Sequence, residues 1–225
     1  MNKRQEAAVR RFGTVQIFLD RHEDTFATLN KGSARAEFDA LVRDIARHAV
    51  TQAIAETRGE GLTAQLRVVR DDLRLIHLQP IAAVARSRVA DTPAFSGLTL
   101  PHKSASDDTL DAAATRAVAI LRDESSIFFE QCFAEDFVEQ LEDAAATLRS
   151  VRADVRENRL ELVHATREIA VLVKHGGALI RLFDALIPRL ARGNRELVAG
   201  WRLASATKQA LGRPRGERHA HTSTD

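Results

Sequence analysis

One pair of side chains in the sequence has the spacing of a metal site. Glu161 and His164 form a Glu-x-x-His sequence, which on a helix places both side chains on one face. Di-iron helical bundles use two such sequences and two further glutamates. The sequence contains no second Glu-x-x-His, so we expect Glu161 and His164 to lie on a solvated helix face. We therefore predict no metal and no other cofactor.

Polar side chains interrupt otherwise apolar helix positions at His48, Gln52 and Asn158. Buried polar residues at such positions fix the register and the choice of partner in coiled coils. We therefore interpret His48 with Gln52, and separately Asn158, as polar layers of a helical core. The alternative is a small-ligand or metal pocket lined by His48 and Gln52.

The other reactive side chains do not form a recognisable catalytic site. Cys132 lies beside Phe129 and Phe133, which favours a buried apolar role, and no histidine can be assigned as its activating base. His219 and His221 are too few for a zinc site. The sequence also lacks the Gly-x-Ser-x-Gly, Cys-x-x-Cys, His-Glu-x-x-His and phosphate-loop motifs. We therefore predict that the protein is not an enzyme.

Two adjacent glycines and the single tryptophan are candidates for packing or interaction. In the stretch VLVKHGGALIRL, Gly176 takes an apolar helix position, Gly177 follows it, and His175 flanks it. A glycine there costs about 1 kcal/mol of helix propensity, but it lets a neighbouring helix approach closely or allows a bend. We interpret Trp201 as closing the end of a small core, with an anchor at a protein interface as the alternative.

Two long rows of apolar positions, which we call seams, predict the helices on which many of these side chains lie. Each seam advances by alternating steps of three and four residues, as coiled-coil helices do. The seams predict helical segments over 33–89 and 134–190 and leave open whether each is one helix or two. The first seam is Phe38, Leu41, Ile45, His48, Gln52, Ala55, Gly59, Leu62, Leu66, Val69, Leu73, Ile76, Pro80 and Ala83. The second seam is Phe137, Leu141, Ala144, Leu148, Val151, Val155, Asn158, Leu162, Ala165, Ile169, Leu172, Gly176, Leu179, Phe183, Leu186 and Leu190.

Shorter helical patterns precede the long ones and follow them. Amphipathic stripes predict helices over 4–29 and 107–131. Ser106 is placed to cap the second of these helices, and Ser33 is placed to cap the long helix that follows the first. Asn194 is placed to cap a last short helix that continues through Trp201. Segment 90–106 contains two prolines and no periodicity, and we expect it to be a loop whose apolar side chains anchor it to the core: Phe95, Leu98 and Leu100.

These patterns predict an all-α fold, an elongated antiparallel helical bundle of the four-helix type in the order short, long, short, long. We expect a single domain over 1–207, with halves 1–89 and 107–207 joined by the crossover loop 90–106. Similar sequences around His77 and His175 suggest that the two halves arose by internal duplication. Residues 208–225 are expected to form a disordered basic tail.

The charge distribution restricts the classes of partner. The tail 208–225 has four basic and two acidic residues, so it holds all of the net charge of +2, and the remainder of the chain is balanced. A nucleic-acid-binding domain normally has a basic face on its folded part, so nucleic acid is expected only as a weak association through the tail, as an alternative. No run of apolar residues is long enough to span a membrane, and no secretory signal is recognisable, so we expect a cytoplasmic protein.

The C-terminal stretch ALIRLFDALIPRLARGNRELVAGWRLASA, preceded by AEDFVEQLEDAAATLRSVRA, resembles the end of a group of uncharacterised bacterial all-helical bundle proteins of no assigned function. The resemblance covers the chain from Ala134 onward. It implies a cytosolic helical bundle and transfers no functional residue. The seams bring no titratable groups together, and they favour a protein that acts by binding a protein partner or by self-association.

Overall fold

The computed structural model describes residues 1–88, 92–131 and 133–206 of the 225-residue chain. These residues are mostly helical and contain no β-strand, so the predicted all-α class is confirmed. A π-helical segment, Leu73–Leu78, and a short 3-10 helix, Pro93–Gly97, accompany the α-helices. The α-helices of the described residues are α1 (Lys3–Arg21), α2 (Ala27–Asn30), α3 (Ser33–Asp72), α4 (Gln79–Arg88), α5 (Asp107–Phe129), α6 (Phe137–Leu190) and α7 (Arg195–Ser205).

Both long segments are continuous helical paths, although the sequence leaves open whether each is one helix or two. Helix α6 runs over 54 residues without interruption and passes through Asn158 and Gly176. Helix α3 continues through Gly59 and Gly61, and the π-helical segment joins it directly to α4. The seam phase that persists across the two glycines therefore corresponds to one helical path.

The first seam fails after Leu73, and the π-helical segment is the reason. A π-turn contains one more residue than an α-turn, so the buried side of the helix moves along the sequence. Ile76, which the seam predicts to be buried, is 63% exposed, and Ala83 is also exposed. The buried positions beyond Leu73 are Leu78, Ile81, Ala82 and Ala85.

Two of the three capping predictions are confirmed. The Ser106 hydroxyl accepts a hydrogen bond from the Thr109 backbone N–H at 3.1 Å, and the Asn194 side chain accepts one from the Leu197 backbone N–H at 2.9 Å. The prediction for Ser33 is wrong, because α3 already includes this residue. The preceding turn ends at Gly32, whose N–H donates to the Leu29 carbonyl at 2.9 Å, so the helix begins one residue earlier.

The helix predicted over 4–29 is shorter in the structure, since α1 ends at Arg21. His22 leaves the helical conformation at φ −115° and ψ 35°. The turns that follow bring the Phe26 ring to 6.1 Å from the Phe18 ring, measured between centroids. Phe26 is therefore buried through a reversal of the chain and not through a continued helical stripe.

The chain forms two compact units, the first of which comprises Met1–Gln52 and Val163–Asp225, as far as these segments are described. Aromatic rings hold its core together. The Phe38 ring meets those of Phe12 and Phe183 edge-on, with centroids 5.7 and 5.6 Å apart. The ring of Trp201 on α7 lies 5.7 Å from that of Phe18 on α1. These contacts join α1, α7 and the adjoining parts of α3 and α6.

An arginine network fastens α1 to α3 within the first unit. Arg35 is buried and forms ion pairs with Asp20 on α1 and Asp39 on α3. Gln16 donates a second hydrogen bond to Asp39, at 2.9 Å. Burial acts to lower the pKa of Arg35, but the hydrogen bonds and charges of the two carboxylates outweigh it and raise this pKa.

The second unit comprises Ala53–Leu162. Ion pairs attach the first turns of α5 to the long helices. Arg70 Nη1 lies 2.9 Å from Asp107 Oδ1, and Arg149 Nη1 lies 2.6 Å from Asp111 Oδ1. Loop residues 92–106 are anchored as the sequence predicts: Phe95 and Leu98 are buried, and Leu100 packs against the same core. The core residues of this unit include Leu73, Leu78, Ile81, Ala85, Phe95, Leu110, Leu121, Phe128, Leu141 and Leu148.

These two units differ from the predicted halves, 1–89 and 107–207. Each unit combines a part of α3 with a part of α6, because α1 packs on the beginning of α3, whereas α5 packs on the π-helical segment at its end. The single domain over 1–207 and the internal duplication stay predictions. The predicted basic tail, 208–225, lies outside the described residues.

Candidate interaction surface

Asn158 on α6 is buried against α3 in the second unit. Its Nδ2 donates a 2.9 Å hydrogen bond to the carbonyl oxygen of Ala55. A Cβ on Gly59 would stand 2.9 Å from the same nitrogen, so a glycine leaves the amide undisturbed there. Within the described residues, Asn158 Oδ1 has no hydrogen-bond partner. Asn158 is thus a buried amide at a predicted polar layer, and its role in fixing the helix register stays a prediction.

A groove of about 700 Å³ opens between α3 and α6 beside Asn158, entirely within the second unit. Its lining combines small and apolar side chains with four charged ones. The lining residues are Ala55, Glu56, Gly59, Glu60, Leu62, Thr63, Ala64, Arg67, Val155, Asn158, Arg159 and Leu162.

A second row of small and apolar residues runs along the exposed side of α3, next to this groove. We call it the α3 stripe. Its two largest members, Ile54 and Val68, are 62% and 58% exposed. The row advances by alternating steps of three and four residues, which is the spacing of a coiled-coil contact face. The α3 stripe consists of Ile54, Thr57, Gly61, Ala64 and Val68.

Gly61 stands at the middle of the α3 stripe and is exposed. No described atom outside its own helix backbone lies within 4 Å of the position that a Cβ would take. Gly59 has a local reason to be glycine, the Asn158 amide, and Gly61 has none among the described residues. Sequence reasoning missed this surface, although the spacing of the α3 stripe can be read from the sequence.

Charged and polar side chains flank the α3 stripe on both sides. Glu60 and Arg67 lie one heptad apart on the edge that borders the groove, and both are exposed. Arg58 and Gln65 lie one heptad apart on the other edge, where Arg58 is 4.0 Å from Glu161 on α6. One edge therefore presents a negative and a positive charge in sequence order.

Gly176 on α6 packs against α1 in the first unit. A Cβ at this position would be 2.6 Å from two carbons of the Phe12 ring and 3.1 Å from Leu41 Cδ2. The neighbouring Gly177 has room, since only an Arg181 nitrogen lies within reach, at 3.9 Å. His175 beside them is half-exposed and forms a 2.9 Å ion pair with Glu37 when protonated. The structure therefore explains a glycine at 176 by a close approach and offers no packing reason for Gly177.

Trp201 is buried in the first unit, and its Nε1 donates a 2.8 Å hydrogen bond to Asp184 Oδ1. A buried ring cannot be presented to a partner, so this position agrees with a core role and not with an exposed anchor. On the same helix, Leu203 is a large apolar residue that is 79% exposed.

His48 and Gln52 lie one turn apart on α3 in the first unit. Gln52 is buried and His48 is half-buried. Neither residue lines the groove beside Asn158. The structure thus places the two side chains together on one helix face, and a ligand pocket formed by them stays a hypothesis.

Glu161 and His164 are both exposed on α6, and His164 Nε2 lies 3.8 Å from Glu168 Oε1. In the part of the chain that the structure describes, no group of three or more histidine, cysteine or carboxylate side chains is placed to hold a metal ion. The positions of Cys132, His219 and His221 lie outside the described residues.

His77 lies in the π-helical segment of the second unit. Burial lowers the pKa of His77 below its ordinary value of 6.5, and the nearby Asp72 carboxylate partly opposes the effect. His77 is therefore neutral at physiological pH. Its place within the second unit is structural, since it belongs to the segment that shifts the buried side of the helix.

No family model, curated protein or solved structure matches this chain. The geometry of the described residues must therefore support any functional conclusion. None of the described helices is both long enough and apolar enough to cross a membrane.

Proposed function

We propose that this chain is a cytoplasmic, non-catalytic helical-bundle protein that acts by protein–protein interaction, and that a second copy of the chain docks on the α3 stripe. The observation that carries the proposal is Gly61. A glycine inside a helix costs about 1 kcal/mol relative to alanine, and nothing in the described part of this chain requires it. A second helix laid across the α3 stripe would require it, because a glycine lets two helix backbones approach closely.

The exposed apolar side chains support a docked helix. Ile54 and Val68 lie seven residues on either side of Gly61, so each is two turns from the centre of the stripe on the same side of α3. Burying both would remove apolar area from water, which is the main favourable term in protein association. Ile54 and Val68 thus place two large exposed apolar side chains on the same side of α3 as Gly61.

The flanking charges favour a second copy as the occupant. Symmetric dimers use the same patch on both subunits, so a self-complementary patch needs both charge signs. Glu60 and Arg67 provide both signs on one edge of the α3 stripe. In this proposal the chain is the elongated antiparallel bundle that the seams predict.

The mass of two matched variants in solution tests the proposal. Gly61→Gln places a good helix former at the centre of the α3 stripe. Gly13→Gln makes the same exchange inside α1, at another glycine with no described atom within 4 Å of its Cβ position. We expect the unmodified chain and Gly13→Gln to be dimers by light scattering, and Gly61→Gln to be a monomer of unchanged helicity by circular dichroism. A Gly61→Gln protein that dimerises as well as Gly13→Gln would contradict docking at this surface.

A further inference from the structure

We propose that the first unit binds the phosphate group of a small phosphorylated molecule in a cleft between α1 and α7, where Arg10 and Arg11 hold it. The observation behind this proposal is a half-buried guanidinium that lines the cleft and has no ion-pair partner among the described residues. The site is independent of the α3 stripe, whose residues belong to the second unit.

The cleft has a volume of about 350 Å³, near the lower end of the range for small-molecule sites. One side is a face of α1 that advances by steps of three and four residues, and the other is the end of α7. Two of the described lining residues are basic and none is acidic, and the Thr14 hydroxyl donates to the Arg10 carbonyl at 3.0 Å. The lining includes Ala7, Arg10, Arg11 and Thr14 on α1 and Leu203 and Ala204 on α7.

Arg11 is the half-buried cation of this cleft. Its Nε is buried and has no hydrogen-bond partner among the described residues. Neither Arg11 nor Arg10 forms an ion pair with a described carboxylate, although Glu6 lies one turn before Arg10 on α1. A guanidinium has five N–H donors, and a charged donor that is left unsatisfied away from water destabilises the fold. The cleft therefore presents donors whose acceptor is missing from the described part of the chain.

Arg35, also in the first unit, shows what Arg11 lacks. Burial acts against the charged form of both side chains. At Arg35, two carboxylates outweigh burial and raise the pKa. At Arg11, burial has the largest influence and lowers the pKa, because Asp184 attracts the charge while Arg181 repels it. A bound anion would stabilise the charged form of Arg11 as the two carboxylates stabilise that of Arg35.

The charges of the cleft favour a phosphate monoester over a carboxylate. Arg181 and Asp184 near Arg11 have opposite charges, so Arg10 and Arg11 leave an excess of positive charge at the cleft. A phosphate monoester carries about 1.5 to 2 negative charges at neutral pH and three acceptor oxygens, and guanidinium groups bind it through paired N–H donors. A carboxylate carries one charge and would leave one arginine uncompensated.

An apolar side chain of α7 provides a contact for the organic part of the ligand. Leu203 lines the same cleft and is 79% exposed. A ligand that bears a phosphate at one end and an apolar group at the other would therefore meet both arginines and remove the Leu203 side chain from water.

Calorimetric titration of the 225-residue chain with phenyl phosphate tests the site. Arg10 is exposed, so Arg10→Met should preserve the fold, with helicity measured by circular dichroism as the control. Arg21→Met is the matched variant, the same exchange at an exposed arginine of α1 that does not line the cleft. We expect the dissociation constant to rise about tenfold in Arg10→Met and in Arg11→Met, the effect of one lost charged hydrogen bond, and to stay unchanged in Arg21→Met.

Two results would overturn the proposal. The first is an unmodified chain that shows no saturable binding of phenyl phosphate. The second is an Arg21→Met variant that binds as weakly as Arg10→Met, because binding would then follow the net charge of the protein and not the cleft.

Inorganic phosphate separates the contact with the anion from the apolar contact. We expect the unmodified chain to bind phenyl phosphate more tightly than inorganic phosphate, and Leu203→Ser to remove most of this preference. A Leu203→Ser variant with the preference of the unmodified chain would contradict the contact between Leu203 and the organic part of the ligand.

Discussion

The Nδ2 atom of Asn158 lies 2.9 Å from the position that a Cβ on Gly59 would occupy, so these two residues exclude larger side chains from each other's place. The same nitrogen donates to the Ala55 carbonyl on α3. A buried amide on one long helix and a glycine on the other are therefore parts of a single contact. This contact is where a polar group enters the apolar packing of the second unit.

The first prediction concerns the coupling between these two residues. Gly59→Ala should gain about 1 kcal/mol of helix propensity but displace an amide whose hydrogen bond is worth about as much, so its net effect should be near zero or destabilising. In an Asn158→Ala background the space is free, and the same exchange should stabilise by about 0.4–1 kcal/mol. Urea denaturation of the four proteins measures the coupling. Equal effects of Gly59→Ala in both backgrounds would mean that the Asn158 amide does not limit which side chain fits at position 59.

The second prediction concerns the glycine pair on α6. Gly176→Leu should destabilise the first unit by about 1–3 kcal/mol, because the new side chain would overlap the buried Phe12 ring 2.6 Å away. Gly177→Leu is the matched control, with the same exchange one residue later, where only an Arg181 nitrogen lies within 4 Å of the Cβ position, at 3.9 Å. Thermal or urea denaturation compares the two. If Gly176→Leu is as stable as Gly177→Leu, α1 and α6 do not pack closely at this point.

The third prediction concerns the hydrogen bond between Trp201 and Asp184. Trp201→Phe keeps an aromatic ring in the core but removes the N–H that donates to Asp184 at 2.8 Å. We expect a loss of about 1.5–3 kcal/mol in the free energy of unfolding, the range for a hydrogen bond to a charged group. Asp184→Asn keeps an acceptor and should lose less. Denaturation followed by circular dichroism gives both values, and the reverse order would show that the hydrogen bond contributes little.

The fourth prediction concerns pH and His77. Burial lowers the pKa of His77 in the folded protein, so below the ordinary pKa of 6.5 the unfolded chain binds this proton more readily than the folded one. Folding stability should therefore fall as the pH falls through this region, until the folded-state pKa is also passed. His77→Gln removes the titration and should lose less stability between neutral and mildly acidic pH. Identical pH profiles would indicate that His77 ionises equally in both states.

The apolar periodicity of the sequence predicts the helices well, because a buried side at heptad spacing is a local pattern. It predicts the helical segments over 33–89 and 134–190 but leaves open whether each is one helix or two, and the structure shows α3 continuing across Gly59 and Gly61 and α6 unbroken. It fails beyond Leu73, since a π-turn depends on backbone hydrogen bonds that side-chain spacing does not encode. The end of α1 at Arg21 was missed for a similar reason, as Phe26 is buried after a turn and still fits the stripe.

The candidate surface was less accessible to sequence reasoning than the fold. The same spacing describes a buried seam and an exposed one, so the α3 stripe could not be ranked above other rows without knowing which side of α3 is covered. The sequence Gly-Glu-Gly also gives no reason to treat its two glycines, Gly59 and Gly61, differently. Only three-dimensional neighbours distinguish Gly59, which faces Asn158, from Gly61, which faces no described atom.

Sedimentation equilibrium of the unmodified 225-residue chain over a wide concentration range tests self-association most directly. We predict a mass that rises from that of the 24.8 kDa chain to twice this value and no further, because a two-fold contact through one surface closes on itself. A mass that stays at 24.8 kDa at every concentration would contradict the proposal that a second copy occupies the α3 stripe.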